Sequence, residues 1–218
     1  MYQGLISGDQ LLSLGTATVK FFDPAVSPFV GFDEDNIRGF EELYEILPEG
    51  RNILYATRRK IATPGGWELK QAISGLQLVF DVNHSLQPVS MAPKPLGQEH
   101  VPEMVALATL TKPGPFGTRT IDFGHYYGIF ENDKLVAMTG QRLHVQQYSE
   151  VSAVCTHPDH LGKGYATLLV QHQVQLILHQ GKIPFLHVRD DNRRAIELYQ
   201  RLGFVISGNM NFYFMRRL

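Results

Sequence analysis

An apolar strand that runs through a glycine loop into a helix constrains this chain more than any other feature. The apolar stretch ends at Thr156, Gly162 and Gly164 follow, and helical spacing of apolar residues begins at Tyr165. The first amides of a helix have no intrahelical partner, and the helix dipole adds about half a positive charge there. Glycine lets an anion approach these amides closely. The stretch therefore predicts a strand–loop–helix unit with an anion site at the helix N-terminus.

Two familiar phosphate loops do not fit this stretch. A P-loop needs Lys followed by Ser or Thr after its second glycine, whereas Gly164 is followed by Tyr165 and Ala166. A dinucleotide fingerprint needs a third glycine and an acidic residue roughly 20 positions further on. The third glycine is absent here, so a different anion-binding loop is indicated.

The downstream pattern predicts a second strand and a second helix. We expect a helix over Tyr165–Gln180 that ends at Gly181, then a buried strand over Ile183–Val188. Asp190, Asp191 or Asn192 would open the next helix, and Gly203 would close it. Short connections in this order predict parallel strands joined by a right-handed crossover.

Two motifs in this region resemble those of the GNAT acetyltransferase superfamily. The glycine loop is similar to the family's pyrophosphate loop, Arg/Gln-x-x-Gly-x-Gly/Ala, and reads Leu161-Gly162-Lys163-Gly164-Tyr165-Ala166. The second helix is similar to the family pattern Asn-x-x-Ala-x-x-Leu-Tyr-x-x-x-Gly-Phe and runs from Asn192 to Phe204. Leu161 departs from the pattern, since Arg or Gln is usual there, which puts one side-chain contact in doubt.

The resemblance implies an α+β GNAT fold, a mixed sheet flanked by helices. It also implies an N-acetyltransferase that moves the acetyl group of acetyl-CoA, its co-substrate, directly to an amine in a ternary complex. Loop amides would hold the pyrophosphate, and the strand before the loop would supply the oxyanion donors. The implied acetyl-CoA contacts are Val154, Cys155, Thr156, Leu161, Gly162, Lys163, Gly164, Tyr165, Ala166, Thr167 and Asn192.

The resemblance also implies two catalytic residues. Tyr199 stands where the family places a tyrosine near the thioester sulfur, and a phenol suits the protonation of a departing thiolate. Glu150 lies four positions before Val154, where histone-acetylating members carry their general base. Side-chain alternation places Glu150, Ser152 and Val154 on one face of the strand.

Alternatives to Glu150 as the base stay open. Its carboxylate could be a solvated group at the strand end, and many relatives deprotonate the amine through ordered water. His144 is a weaker candidate that has only the pKa range of histidine in its favour.

Cysteine and histidine do not indicate a covalent or metal-assisted mechanism. Cys155 sits in an apolar strand without a catalytic histidine motif, so we expect a buried structural thiol. His157 and His160 are separated by Pro158, and no cysteine–carboxylate set completes a site, so we expect no metal.

Composition sets the remaining limits. The 218 residues carry 20 basic and 21 acidic side chains, which gives no electrostatic case for nucleic acid or a membrane surface. A single cysteine fits a reducing compartment. The amino terminus has no basic region ahead of an apolar one, and no apolar run approaches about 20 residues, so we expect a soluble cytoplasmic protein. Its oligomeric state is left open.

The sequence suggests a two-part layout, with a catalytic region over 89–218 and an amino-terminal half over 1–88. This layout resembles the glycine N-acyltransferase-like branch, in which that half is a degenerate copy without a CoA site. It would wall one side of the acceptor cleft, with Trp67 in its core. Other expected elements are a strand at Val89–Met91, a loop at Ala92–Gly97, a helix at His100–Leu110, a hairpin of Tyr126–Phe130 and Leu135–Leu143, a strand pair within Trp67–Phe80, and a final hairpin through Gly208-Asn209.

The acceptor is a small-molecule or peptide amine that the sequence does not identify. Two other functions stay open: transfer of a longer acyl group to an amino acid, and non-catalytic binding of an acyl-CoA.

Overall fold

The computed structural model describes residues 1–85 and 91–218. Within them the α-helices are α1 (Tyr2–Leu5), α2 (Gly39–Ile46), α3 (Val101–Thr111), α4 (Tyr165–His179) and α5 (Arg193–Arg201). The strands are β1 (Ser13–Gly15), β2 (Val19–Phe22), β3 (Phe29–Phe32), β4 (Asn52–Thr57), β5 (Trp67–Phe80), β6 (Lys94–Pro95), β7 (Tyr127–Glu131), β8 (Lys134–Val145), β9 (Tyr148–Thr156), β10 (Ile183–Arg189) and β11 (Phe204–Arg217). The helices expected before and after β10 are confirmed within one or two residues at each end.

These strands form one mixed sheet in the order β1-β2-β3-β4-β11-β5-β10-β9-β8-β7-β6. Strands β9 and β10 are parallel and are connected through α4, as the predicted crossover requires. Strands β7 and β8 form the expected hairpin, which turns at Asn132 (φ 48°) and Asp133 (φ 60°). Two successive positive φ angles are the signature of a type I′ turn, which matches the twist of the flanking strands.

Strands β9 and β10 separate soon after they pair. Their register runs from Ile183 opposite Tyr148 to Phe185 opposite Glu150, and no further pair follows in the described parts of either strand. Both strands nevertheless continue, to Thr156 and Arg189. The sheet therefore contains a V-shaped gap whose apex lies at Glu150 and Phe185.

A β-bulge near Ala153 changes which side chains share a face of β9. Across β8 and β9 the register passes from Gly140 opposite Ser152 to Met138 opposite Cys155, so β9 carries an extra residue. Ala153 has a φ of 53°. A bulge reverses the alternation of side chains, and Val151 and Val154 accordingly pack in the same apolar cluster. The expectation that Val154 shares a face with Glu150 and Ser152 is therefore wrong.

The two faces of β10 contact different parts of the core. Leu186 and Val188 pack with apolar residues of α4 and α5, whereas Phe185 packs with Phe22, Phe29 and other residues contributed largely by the amino-terminal region. Trp67 is buried, as expected, in an aromatic cluster against α2.

Strand β5 joins the amino-terminal region to the middle of the sheet. Trp67–Phe80 is one 14-residue strand and not the expected pair, and it lies between β10 and β11. The expected final hairpin at Gly208-Asn209 is also wrong, because β11 runs unbroken from Phe204 to Arg217 with a register shift at Ile206 and Gly208. Pairing of Gly208 and Asn209 with Gln77 and Leu76 of β5 outweighs the local preference of Gly-Asn for a turn.

The remaining expectations for the region 89–111 are met in part. The predicted strand Val89–Met91 falls mostly outside the described residues, and the Ala92–Gly97 loop contains the short strand β6. The expected helix is confirmed as α3, which follows a short 3-10 turn at Gln98–His100. Among the helices of residues 1–85 and 91–218, none is long and apolar enough to cross a membrane.

Candidate active site

The glycine loop between β9 and α4 has the backbone of an anion cradle. Gly162 and Gly164 both have φ of 81°, a left-handed conformation that side chains disfavour. A Cβ at either position would meet no heavy atom of the described chain within 4 Å. Glycine is thus required by the backbone conformation, and the space beside it is open to a ligand. The N-terminus of the 15-residue helix α4 begins at once, with Gly164 as its N-cap.

Helix α5 brings the second motif to the same place. The Asn192 side chain accepts a hydrogen bond from the Ala195 amide at 3.2 Å, so this residue is the N-cap of α5. Tyr199 lies on the buried face of the helix and packs edge-on against Phe204. The capping interaction sets the start of the helix and so fixes the direction in which Tyr199 points.

One cavity of about 410 Å³ contains residues of both motifs and of β9. It brings together every predicted acetyl-CoA contact except Lys163, and its lining residues are Val154, Cys155, Thr156, His160, Leu161, Gly162, Gly164, Tyr165, Ala166, Thr167, Asn192, Arg194, Ala195, Leu198, Tyr199 and Arg201. Because α4 and α5 both line it, the cavity lies on the Leu186 and Val188 face of the sheet.

The Lys163 side chain does not line this cavity. Its ammonium lies 2.8 and 2.9 Å from the two carboxylate oxygens of Glu131 at the end of β7. The Tyr165 hydroxyl donates to the same carboxylate. These hydrogen bonds, that from Lys163 foremost, lower the pKa of Glu131 to about 2. Glu131 therefore fastens the loop to β7, and at Lys163 only the backbone is left to bind an anion.

Tyr199 and Cys155 both keep their protons at neutral pH. Burial raises the pKa of the Tyr199 phenol to about 12, with the proximity of Cys155 adding to the effect. Burial raises the pKa of the Cys155 thiol to about 11. Tyr199 is therefore a hydrogen-bond donor, and Cys155 has the buried position expected of a structural thiol and is not an activated nucleophile.

Glu150 is buried, not solvated at a strand end. It is 1% exposed, and Arg142 on β8 contacts both of its carboxylate oxygens, at 3.0 and 2.8 Å. His187 on β10 lies 2.8 Å from the same carboxylate through its Nδ1 atom. Burial alone would raise the pKa of Glu150, but the charge of Arg142 and the contacts from His187 outweigh it and hold that pKa well below its usual range. So low a pKa makes Glu150 itself a weak base.

His144, the weaker candidate for the base, is occupied elsewhere. Its Nδ1 atom lies 2.7 Å from the Asp9 carboxylate, and its Nε2 atom lies 3.3 Å from the Gln141 amide oxygen. His144 also lines neither this cavity nor a second cavity of about the same volume on the other face of the sheet. These contacts make His144 a link between the amino-terminal segment and β8.

Replacing Arg142 with leucine is expected to lower the free energy of unfolding by about 3–5 kcal/mol, because it leaves Glu150 buried without its cation. Urea denaturation measures this loss. Because the pKa of Glu150 is depressed in the folded protein, the pair stabilises the fold fully above about pH 4.5 and loses its effect as pH falls below that value. The difference in the free energy of unfolding between the wild-type protein and Arg142→Leu should therefore become smaller in acid.

The exposed pair Arg38–Glu41 provides the control. Its side chains are 62% and 70% exposed, so Arg38→Met should leave the urea midpoint nearly unchanged. Equal effects of the two substitutions would contradict a structural role for the buried pair.

Sequence reasoning missed several residues of the site. Leu198 and Arg201 line the cavity from the same face of α5 as Arg194, for which an exposed helix charge was the favoured interpretation and contact with the adenosine phosphate the alternative. The spacing of the three residues by four and then three positions could have indicated this shared face. No residue near His187 in the sequence indicated that it belongs to the site, because only the pairing of β5, β9 and β10 brings it to Glu150. Within the described residues, no group of three or more His, Cys, Asp or Glu side chains is placed to hold a metal.

Comparison with known proteins agrees with this geometry. A family model described as FR47-like protein matches residues 126–212, which include both motifs. A crystal structure described as an acetyltransferase from the GNAT family of Novosphingobium aromaticivorans matches with a TM-score of 0.89 and 29% identity, over 100% of this chain and 96% of that one. The chain is thus similar to GNAT proteins in its whole fold and in the region that holds both motifs.

A more distant GNAT structure shows the same fold. The GCN5-related N-acetyltransferase from Kribbella flavida has a TM-score of 0.61 and 16% identity, over 97% of this chain and 95% of that one. A search of curated proteins gave no significant match. The expected GNAT fold, a mixed sheet flanked by helices, is thus confirmed along the whole length of the chain.

Proposed function

We propose that this GNAT protein transfers the acetyl group of acetyl-CoA to an amine by direct attack in a ternary complex. The observation that carries the proposal is the shared cavity, in which the glycine loop, Asn192 and Tyr199 come together beside the gap in the sheet. The residues fit the co-substrate. The open glycine positions suit a pyrophosphate, and the buried Thr156 hydroxyl has no hydrogen-bond partner among the described residues.

The bulge on β9 supports an oxyanion donor next to the gap. Among the described residues, Ala153 and Val154 have no register partner on β8 or β10. We assign the Val154 amide, which lies at this bulge, as the donor to the carbonyl oxygen of the thioester, which becomes negatively charged as the amine attacks. Fixed donors at such an oxygen are among the largest contributions to catalysis.

Tyr199 is assigned to the protonation of the departing CoA thiolate. As the C–S bond breaks, negative charge develops on the sulfur, and the neutral phenol donates a hydrogen bond to it and then its proton. Because burial raises its pKa to about 12, the phenol keeps this proton at neutral and mildly alkaline pH. Cys155 takes no part as a nucleophile, because its thiol is neutral and buried. Glu150, the base that the resemblance implies, is too weakly basic to take the amine proton by itself.

Acetyl-CoA is expected to raise the thermal midpoint. A ligand at about 100 times its Kd raises the free energy of unfolding by about 2.7 kcal/mol, or about 5–10 °C in a chain of this size. Differential scanning fluorimetry with acetyl-CoA, CoA, longer acyl-CoAs, ATP and NAD measures the shift. Shifts with the CoA compounds but not with ATP or NAD would support the proposed site, and no shift with any CoA compound would refute it.

The same measurement separates the alternative functions. A larger shift with a longer acyl-CoA would favour transfer of that acyl group to an amino acid. A shift with acetyl-CoA but no transfer to any amine would favour a binding module. The presence of Tyr199 favours the enzyme, since binding alone does not require a phenol next to the thioester.

A further inference from the structure

A second cavity, of about 410 Å³, lies across the sheet from the proposed acetyl-CoA site. Phe185 and His187 of β10 line it, and they alternate with Leu186 and Val188, which face α4 and α5. Its other walls include β5 and parts of the amino-terminal region such as Arg58. The two cavities are therefore on opposite faces of the same gap.

His187 presents one ring nitrogen to this cavity. Its Nδ1 atom lies 2.8 Å from Glu150, and a carboxylate can only accept, so Nδ1 carries the proton. The Nε2 atom of the neutral ring is then an acceptor. The ring is 8% exposed and is held between the edges of Phe185 and Phe212.

Arg58, which directly follows β4, and Gln77 of β5 have contacts that agree with this assignment of the ring nitrogens. Arg58 donates a hydrogen bond of 2.7 Å to the amide oxygen of Gln77, which leaves the Gln77 amide nitrogen as a donor. That nitrogen lies 3.3 Å from Nε2 of His187. The contact is long, so an incoming group on the cavity side can replace it.

The pair of His187 and Glu150 also lies at the apex of the gap, where one face of the sheet is connected to the other. Glu150 is the last residue of β9 that pairs with β10, and His187 lies two positions beyond its partner Phe185. A nucleophile in the second cavity would thus reach the thioester through the apex of the gap. Arg142 contacts both carboxylate oxygens of Glu150, so Glu150 is less able than Nε2 of His187 to accept a proton from an amine in this cavity.

We propose that the second cavity holds the acceptor amine and that His187, oriented by Glu150, accepts the amine proton. This inference rests on the proposed acetyl transfer. His187 is assigned as the catalytic base, and Glu150 is a positioning residue that fixes the tautomer and orientation of the ring.

The proton balance is simple. Nε2 of His187 takes a proton from the ammonium form of the acceptor, and the freed lone pair attacks the thioester carbonyl. A C–N bond forms and the C–S bond breaks, while a second proton leaves the nitrogen for solvent. Tyr199 protonates the thiolate, and solvent then restores the protonation states of Tyr199 and His187. The products are an N-acetylated amine and CoA.

The test compares two small amines that differ mainly in basicity. Ethylamine is protonated at neutral pH and needs a base, whereas trifluoroethylamine has nearly the same shape and is largely neutral. Release of CoA thiol from acetyl-CoA is measured with each amine in the wild-type protein and in His187→Ala. We expect the variant to lose about 10²–10⁴-fold in kcat with ethylamine and much less with trifluoroethylamine. Added imidazole should restore part of the ethylamine rate.

His144→Ala is the matched control. It also removes a mostly buried histidine that contacts a carboxylate, but His144 lines neither cavity, so both rates should stay unchanged. The midpoint shift with acetyl-CoA is recorded for each protein to show that it folds. If His187→Ala does not fold, His187→Asn keeps a donor for Glu150 and should show the same selective loss.

Three results would overturn the inference. Unchanged rates in His187→Ala would place the base elsewhere. An equal loss with both amines and no rescue by imidazole would make His187 structural. If acetyl-CoA raises the thermal midpoint of the wild-type protein but the protein acetylates neither amine, the second cavity is not an amine site. Absence of the acetyl-CoA shift itself would instead refute the proposed function.

Discussion

Replacing Tyr199 with phenylalanine is expected to lower kcat by about 10²-fold and to leave acetyl-CoA binding intact. The substitution removes only the hydroxyl group from a ring packed against Phe204, so the cavity keeps its shape. The group removed is the proposed donor for the departing thiolate, which would matter only once the C–S bond begins to break. Steady-state kinetics of CoA release measures kcat, and the shift of the thermal midpoint with acetyl-CoA measures binding, so the effects on catalysis and on binding can be separated.

Tyr126 offers a control for this experiment. Its phenol is also buried, burial raises its pKa, and its hydroxyl has no hydrogen-bond partner in the described part of the chain. It packs near α3 and does not line the cavity of the glycine loop. Tyr126→Phe should therefore leave kcat unchanged. If Tyr199→Phe behaves in the same way, Tyr199 is not the acid.

Replacing Gly164 with alanine is expected to weaken acetyl-CoA binding by about 10- to 100-fold. The added Cβ would project into open space next to the first amides of α4 and keep a phosphate oxygen away from them. A hydrogen bond to a charged group contributes about 1.5–3 kcal/mol, so losing one gives a change of about this size. Isothermal titration with acetyl-CoA measures it.

Gly181, just after α4, is the matched control for Gly164. It has a φ of 70°, and a Cβ there also meets no heavy atom of the described residues within 4 Å. Alanine at either position has a conformational cost of about 1–2 kcal/mol, so both variants should lose similar stability. Only Gly164→Ala should lose affinity, since Gly181 lines no part of the cavity. An equal loss of affinity would mean that strain, and not the anion contact, controls binding.

The elements predicted well from the sequence are those specified by local signals. Gly181 and Gly203 end α4 and α5, Asn192 caps α5, and Asn132-Asp133 sets the turn of the β7–β8 hairpin. The glycine loop and Tyr199 were predicted because motif spacing indicates which residues share a site. Each of these features depends on residues only a few positions apart.

The features that were missed depend on distant pairing. The single long β11 forms because β4 and β5 lie on either side of it, which the Gly208-Asn209 pair does not reveal. The bulge at Ala153 occurs without a glycine, so nothing in β9 predicted the change of face. Arg142, Glu150 and His187 come from three different strands, and only the assembled sheet shows that Glu150 is paired.

The place of β5 in the sheet also has consequences for how the chain folds. Its partners β10 and β11 lie more than a hundred positions away along the sequence, so the centre of the sheet forms through contacts of high sequence separation. Loops of that length are slow to close, and the unpaired edges of β4 and β5 stay exposed until β11 arrives. Exposed edges favour aggregation. The wall that His187 faces and the proposed co-substrate site between α4 and α5 therefore both depend on these late contacts of the sheet.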